Sequence, residues 1–196
     1  MNILALNGSR RKSGNTSILI ETLLAPAIQK GAEVRTVFLG DYEIGACTGC
    51  EGCRESWECV IKDDFARVIE MMDMADGLVL ASPTYWYTVT SDMKRFIDRC
   101  YSLIRFPENR HEWIGKYDAA GKVCVTAAVC EQHEESMMGH TLELLTDFSK
   151  DIGLEVVASL KVLGCFEAGS IRDKEDLLAD AAVAGETLFN SIQARS

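Results

Sequence analysis

Short apolar runs alternate with helical patterns along this chain, and that alternation restricts its fold more than any other feature. Five apolar runs are typical of buried strands, at residues 3–6, 34–39, 77–81, 122–129 and 154–163. Apolar side chains recur at helical spacing in residues 16–30, 63–74, 91–101, 136–152 and 173–192. Strands that alternate with helices predict an α/β fold with a five-stranded parallel sheet and helices on both faces. Because no low-complexity linker interrupts the 196 residues, we expect one domain over residues 1–196.

The loop after the first predicted strand, G-S-R-R-K-S-G-N-T at residues 8–16, is rich in hydroxyl and amide groups. It is not a G-x-G-x-x-G loop, because Arg10 stands where the second glycine would be, and it lacks the Gly-Lys-Ser/Thr of a Walker A loop. Free backbone N–H groups at a helix N-terminus bind anions. The candidates for a phosphate site are Ser9, Arg11, Ser13, Gly14, Asn15 and Thr16. Ordinary helix capping by Asn15 or Thr16 is the alternative interpretation.

A second polar and aromatic loop, S-P-T-Y-W-Y-T-V-T at residues 82–90, leaves the third predicted strand. In the flavodoxin-like strand order 2-1-3-4-5, strands one and three flank the crevice that holds FMN, so the two loops would meet there. Consecutive aromatic side chains are costly to expose, and a flat isoalloxazine ring would cover them. The candidates for ring contacts are Pro83, Thr84, Tyr85, Trp86 and Tyr87. An interface between subunits, where Tyr and Trp are also enriched, is the alternative.

The loop after the fourth predicted strand, residues 131–136, ends on the same rim of the sheet. Glu131 is the candidate there for contact with the pyrimidine edge of the flavin. His133 could serve as a proton donor, but a solvated polar loop is the better interpretation. Because hydride transfer through a flavin needs no protein acid, we predict no catalytic side chain.

Four of the eight cysteines, Cys47, Cys50, Cys53 and Cys59, follow the spacing C-x2-C-x2-C-x5-C. Three cysteines two residues apart open many bacterial 4Fe–4S sites. Structural zinc usually takes two well-separated pairs, and disulfides are rare in a reducing cytosol. The cysteine-rich loop, residues 45–62, therefore predicts a 4Fe–4S site, with zinc or four free thiols in an ordered loop as the alternatives.

The charge balance of the chain bears on its partners and location. Twenty Lys and Arg against thirty Asp and Glu give a formal net charge of −10. A chain this acidic is a poor match for nucleic acid or anionic membrane surfaces. No basic leader precedes the first apolar run, and no apolar stretch is long enough to cross a bilayer. We expect a cytoplasmic protein with neither nucleic acid nor membrane as a partner.

The first loop together with S-P-T-Y-W-Y-T-V-T-S-D-M-K-R-F-I-D-R resembles the NAD(P)H-dependent FMN reductases of the flavodoxin-like superfamily. The run C-T-G-C-E-G-C-R-E-S-W-E-C is similar to archaeal and bacterial iron–sulfur flavoproteins. The resemblance implies that hydroxyl and amide residues of the first loop bind the FMN phosphate, that residues 83–87 contact the flavin, and that the four cysteines ligate 4Fe–4S. Two positions depart from the pattern. Arg10 replaces a frequent proline, and Tyr87 replaces a frequent glycine, which would narrow access to the ring.

The resemblance also implies an activity. We expect an FMN-dependent oxidoreductase that receives electrons from NAD(P)H or a protein donor and passes them to a small molecule or a one-electron acceptor. A non-enzymatic electron carrier of flavodoxin type is one alternative, and a quinone or azo-dye reductase without a cluster is another. The aromatic run at 85–87, together with Trp113 and Tyr117, predicts a homodimer or homotetramer. Residues 104–121 should be ordered, as a lid, a subunit contact or a packed excursion.

Overall fold

The computed structural model describes residues 1–195 of the chain. Seven strands and five α-helices lie within this range. The strands are β1 (Asn2–Asn7), β2 (Glu33–Phe38), β3 (Gly77–Pro83), β4 (Ile104–Arg105), β5 (Ile114–Gly115), β6 (Val123–Val129) and β7 (Glu155–Val162). The helices are α1 (Asn15–Gln29), α2 (Phe65–Met74), α3 (Ser91–Arg99), α4 (Thr141–Asp151) and α5 (Glu175–Gln193). The predicted domain end at Ser196 lies outside the described residues.

Five of the strands form a parallel sheet in the order β2-β1-β3-β6-β7. The predicted order 2-1-3-4-5 is confirmed, since β4 and β5 form a separate antiparallel hairpin that only changes the strand numbers. The order reverses between β1 and β3. The loops that follow these two strands therefore start side by side at the carboxyl edge of the sheet.

Helices cover both faces of the sheet. Along β1, Leu4 and Leu6 face one apolar cluster, which includes buried side chains of α2, α3 and α4. Ile3 and Ala5 face a second cluster, formed with α1 and α5. This alternation follows from the two-residue period of a strand, and burial on both faces explains why the strands are continuously apolar.

The region after β6 differs from its prediction as one helix over residues 136–152. A short 3₁₀ helix, Glu135–Met138, comes first, and α4 begins only at Thr141. Gly139 separates them with a φ of +57°. A Cβ at this position would lie 2.4 Å from the backbone oxygen of Tyr87. The helix breaks here because the chain passes close to the aromatic loop.

No helix within residues 1–195 combines the length and apolar character needed to cross a membrane.

Candidate functional site

The loops after β1 and β3 are joined at their base. The N–H of Gly8 donates to the oxygen of Ala81 at 2.8 Å, and the Thr90 hydroxyl donates to the oxygen of Gly8 at 2.7 Å. A Cβ on Gly8 would lie 3.1 Å from atoms of Ser82, Met93 and Thr90, so the two loops meet closely where glycine stands. The convergence predicted from strand order is present.

The first turn of α1 presents free donors to this crevice. Gly14 precedes the helix and supplies no side-chain cap. Within residues 1–195 the backbone N–H groups of Asn15 and Thr16 have no acceptor. Thr16 is 2% exposed, yet its hydroxyl has no hydrogen-bond partner in the same range. Unpaired N–H groups at the positive end of a helix dipole form an anion-binding site.

The Asn15 side chain has a different task from the one that the sequence suggested. Its Oδ1 accepts from the N–H groups of Gly169 and Ile171 at 2.9 and 3.2 Å. Its Nδ2 donates to the oxygens of Cys165 and Glu167 at 3.2 and 2.9 Å. The side chain ties the loop after β7 to the start of α1 and does not cap α1 itself. Any phosphate contact of Asn15 would therefore be through its backbone N–H.

A groove runs from this helix terminus to the aromatic loop as two adjoining cavities. The cavity beside α1 has a volume of about 80 Å³, and the one beside the aromatic loop about 440 Å³. Thr84, Tyr85 and Glu131 line both. Every predicted cofactor residue except Ser13 lines one cavity or the other, and Ser13 is exposed to solvent. Thr84 Oγ1 is buried without a hydrogen-bond partner in the described chain, so a polar group of a ligand would satisfy it.

Several residues of the groove were missed by sequence reasoning. They are Cys130 and Met137 beside the aromatic loop, and Cys165 and Phe166 beside α1. All follow the carboxyl ends of β6 and β7, at the edge where parallel sheets bind ligands. Strand order was therefore the one signal that pointed to them.

The aromatic loop makes a tight turn with left-handed backbone at its tip. Tyr85 and Thr88 exchange backbone hydrogen bonds of 2.8 and 3.2 Å. Between them Trp86 and Tyr87 have φ values of +49° and +65°. Asn and Gly normally occupy such positions, and other residues there cost about 1–3 kcal/mol each. The turn is braced where the N–H of His140 donates to the oxygen of Tyr87 at 2.8 Å. Glycine, frequent at position 87 in the family resembled, would adopt this backbone without strain.

Arg10 fixes the first loop to the start of α3. Its Nε and Nη2 bind the two carboxylate oxygens of Asp92 at 2.6 and 2.9 Å. Asp92 is only 4% exposed and also pairs with Arg95. The hydrogen bond from Arg10 lowers the pKa of Asp92 below its ordinary value, with Arg95 adding to the effect and burial opposing it. The arginine that replaces a frequent proline thus has a defined structural role.

The cysteine-rich loop contains neither helix nor strand, since residues 42–64 form only turns and irregular backbone. All four predicted ligands, Cys47, Cys50, Cys53 and Cys59, line a single cavity of about 370 Å³. No group of three or more His, Cys, Asp or Glu side chains in residues 1–195 is placed so that it could hold a metal ion. A 4Fe–4S cluster is ligated from the walls of a cavity, and four thiols on one cavity fit that need.

The hairpin segment packs against this loop. Arg110 Nη2 donates to Glu51 Oε1 at 2.7 Å, and Arg105 Nη1 donates to the oxygen of Arg54 at 3.0 Å. The Arg105 guanidinium also lies 4.4 Å from the ring centroid of Trp57. Residues 104–121 thus pack within the chain, as one of the three interpretations of this segment predicted.

The order of the strands in the sheet and the crevice at its carboxyl edge show that the chain has a flavodoxin-like α/β fold. It belongs to the NADPH-dependent FMN reductase family, whose profile matches residues 1–146. An iron-sulfur flavoprotein of Methanocaldococcus jannaschii is 35% identical over 103 residues, which are 53% of this chain and 53% of that protein. One of Archaeoglobus fulgidus is 35% identical over 134 residues, 68% of this chain and 58% of that protein. The chain thus spans little more than half the length of these curated relatives.

A solved structure has the same fold over almost its whole length. The NAD(P)H:quinone oxidoreductase from Methanothermobacter marburgensis superposes with a TM-score of 0.73 at 18% identity, and the match covers 96% of this chain and 98% of that one. The predicted family and fold are confirmed.

Proposed function

We propose that this chain is an FMN-dependent oxidoreductase that takes electrons from NAD(P)H or a reduced protein and passes them to a small molecule or a one-electron acceptor. The observation that carries the proposal is the groove, which has unpaired helix N–H groups at one end and an aromatic turn at the other. The unpaired N–H groups would donate hydrogen bonds to a phosphate, and the aromatic turn would contact a flat ring. Membership in the family supports FMN as the ligand.

Particular groups would hold the cofactor. The N–H groups of Asn15 and Thr16, with the Thr16 hydroxyl, would donate to the phosphate, and Arg11 would flank it. Thr84 Oγ1 and the aromatic turn would orient the ring. When bound, FMN supplies acceptance of a hydride and release of single electrons, which no side chain here can do. The protein binds and orients the cofactor and covers one part of the ring.

We also propose that Cys47, Cys50, Cys53 and Cys59 hold one 4Fe–4S cluster. Their spacing, their common cavity and the names of the curated relatives support it. Such a cluster supplies one-electron transfer. A reducing cytoplasm would keep these thiols free of disulfides, and we propose that location for the protein.

The test begins with protein purified anaerobically. We expect quenching of flavin fluorescence on titration with FMN, then steady oxidation of NADH or NADPH when an acceptor such as a quinone is added. Protein that leaves flavin fluorescence unchanged would refute the proposed cofactor site. Iron and acid-labile sulfide near four per chain are expected for the cluster, whereas zinc, or no metal with all thiols titratable, would refute it.

A flavodoxin-type electron carrier is the second candidate function. The formal net charge of −10 favours it, because an acidic surface docks on a basic redox partner. Bound FMN without steady NAD(P)H turnover, combined with electron exchange with a basic redox protein, would establish the carrier in place of the enzyme.

We further propose a homodimer or homotetramer. Trp86 is 91% exposed, and Tyr85, Tyr87 and Trp113 are about half exposed. Tyr117, which the sequence placed with them, is buried and donates to Asp73 Oδ1 at 2.8 Å, so it contributes nothing to this surface. The three-residue aromatic turn remains a large apolar feature to leave in water. Light scattering that gives the monomer mass of 21.6 kDa would exclude the assembly.

A further inference from the structure

We infer that Arg99 is the positioning residue of the cysteine-rich loop: it joins the two ends of the loop and directs one N–H at Cys59. The redox consequence of this inference rests on the proposed cluster, but the structural part does not. Arg99 is the last residue of α3, and its side chain is completely buried.

All five N–H donors of Arg99 have acceptors. Nε donates to Cys59 Sγ at 3.2 Å. Nη1 donates to the oxygen of Gly45 at 3.0 Å and to Asp63 Oδ2 at 2.7 Å. Nη2 donates to the oxygen of Ile61 and to Asp63 Oδ1, both at 3.2 Å. An arginine has five such hydrogens in a planar fork, so the full donor capacity of the side chain is used here.

Asp63 completes the connection. Its Oδ2 accepts from the N–H of Gly45 at 2.9 Å, and its Oδ1 accepts from the N–H of Phe65 at 3.0 Å. Gly45 is thus held by both its N–H and its oxygen, at the point where the loop begins. The guanidinium lies 4.8 Å from the ring centroid of Phe65. One ion pair therefore fixes the start of the loop, its end and the first residue of α2.

The loop depends on this pair because it has little structure of its own. Between its fixed ends, the backbone hydrogen bonds are those from Arg54 to Glu51 and from Ser56 to Cys53, at 3.1 and 3.3 Å. A buried arginine is costly unless it is fully paired. Its complete pairing here indicates that the loop is organised around it.

The bond to Cys59 has a chemical consequence. Cys59 is the proposed ligand that five intervening residues separate from the compact triplet, so its position is least determined by the spacing of the others. A hydrogen bond and a positive charge at a ligand sulfur stabilise the more negative, reduced state of a cluster. Loss of that bond should therefore make reduction of the cluster less favourable.

The main experiment compares Arg99→Lys and Arg99→Gln with Arg95→Lys, the same exchange one turn earlier on α3, where the side chain pairs with Asp92 and not with the loop. FMN affinity, from flavin fluorescence, reports whether the fold is intact. In anaerobically reconstituted protein, we expect Arg99→Lys to lower the cluster's reduction potential by about 59 mV, a tenfold change in its reduced-to-oxidised ratio. We expect Arg99→Gln to lose most of its iron. Unchanged potential and iron in both would overturn the inference.

A second measurement needs no metal. In apo-protein we expect Arg99→Lys to raise the alkylation rate of Cys59 and proteolysis within residues 46–58 by about tenfold, and Arg95→Lys to change neither. Should the arginine variants fail to bind FMN, Asp63→Asn is the milder replacement, with a smaller increase expected in proteolysis. If the parent protein holds no iron but Arg99→Lys or Asp63→Asn still increases proteolysis of the loop, the cluster is refuted and the positioning role is supported. If Arg99→Lys, Arg99→Gln and Asp63→Asn all leave alkylation and proteolysis unchanged, the positioning role is overturned.

Discussion

The flavin groove and the cysteine-rich loop are built by different means. The groove lies where the strand order reverses, and its donors at one end are backbone N–H groups at a helix terminus. The loop has no regular structure, and buried or half-buried arginines hold it through their side chains. The position of the groove thus follows from topology, whereas the position of the loop depends on a few charged contacts. Substitutions should therefore affect the two sites independently.

The largest expected effect is at the proposed cluster site. Cys50→Ala should abolish iron incorporation, because one of the four thiolates is lost. FMN affinity should stay as in the parent, since the groove has none of these cysteines among its lining residues. Iron analysis and flavin fluorescence on the same preparation make the measurement. Cys124→Ala, in the buried strand β6, is the control that should retain both.

Full iron in Cys50→Ala would show that the predicted ligand set is wrong. Loss of FMN together with iron would show that the two sites are coupled, which would contradict their expected independence.

The next effect is at the phosphate end of the groove. Thr16→Val keeps the shape of the side chain but removes its unpaired hydroxyl. A hydrogen bond to a charged phosphate is worth about 1.5–3 kcal/mol, so FMN should bind about 10- to 150-fold more weakly. Thr22→Val is the matched control, because the Thr22 hydroxyl lies on the same helix and donates to the oxygen of Ile18 at 2.9 Å. Equal FMN affinity for both variants would place the phosphate elsewhere.

A smaller effect is expected at Asn15, and it should appear in stability as well as in binding. Asn15→Ala leaves the N–H groups of Gly169 and Ile171 without their acceptor, which should cost about 1–3 kcal/mol. Urea unfolding of the apo-protein measures this directly, and limited proteolysis should show earlier cleavage within residues 165–171. A variant as stable as the parent, with weaker FMN binding alone, would instead make the Asn15 side chain a phosphate ligand.

Asn15 and Arg99 show which parts of the two sites could not be predicted from the sequence. Strand order was predictable because apolar periodicity is local, and with it came the meeting of the loops after β1 and β3. Ligand spacing at Cys47–Cys59 was also visible. The tasks of Asn15 and Arg99 were not, because each joins segments far apart in the chain, 150 residues for Asn15 to Cys165 and 36 for Arg99 to Asp63. Such pairings leave no periodic trace in a single sequence. For the same reason the charged contacts of the cysteine-rich loop were missed, whereas the spacing of its four cysteines could be read directly from the sequence.

The smallest effect concerns acid stability and the ion pair that joins the loop after β1 to the start of α3. Asp92 has a lowered pKa, chiefly through its hydrogen bond from Arg10, so in the folded state it stays ionised to lower pH than in the unfolded chain. The resulting stabilisation is present above the unfolded pKa of about 3.9 and is lost as the pH falls through the lower folded value. Arg10→Met should therefore be less stable than the parent near neutral pH, and the difference should shrink at acid pH. Because Arg10 is largely solvent-exposed and Arg95 still pairs with Asp92, we expect the difference to be small. Urea unfolding at neutral pH and near pH 3 measures this difference.

The control is Lys12→Met. Lys12 lies in the same loop as Arg10, and its ion pair is with the exposed Asp41. A difference for Arg10→Met that grows as the pH falls would contradict the sign of this linkage. It would also show that the groove depends on this side chain for a reason other than the charge of Asp92.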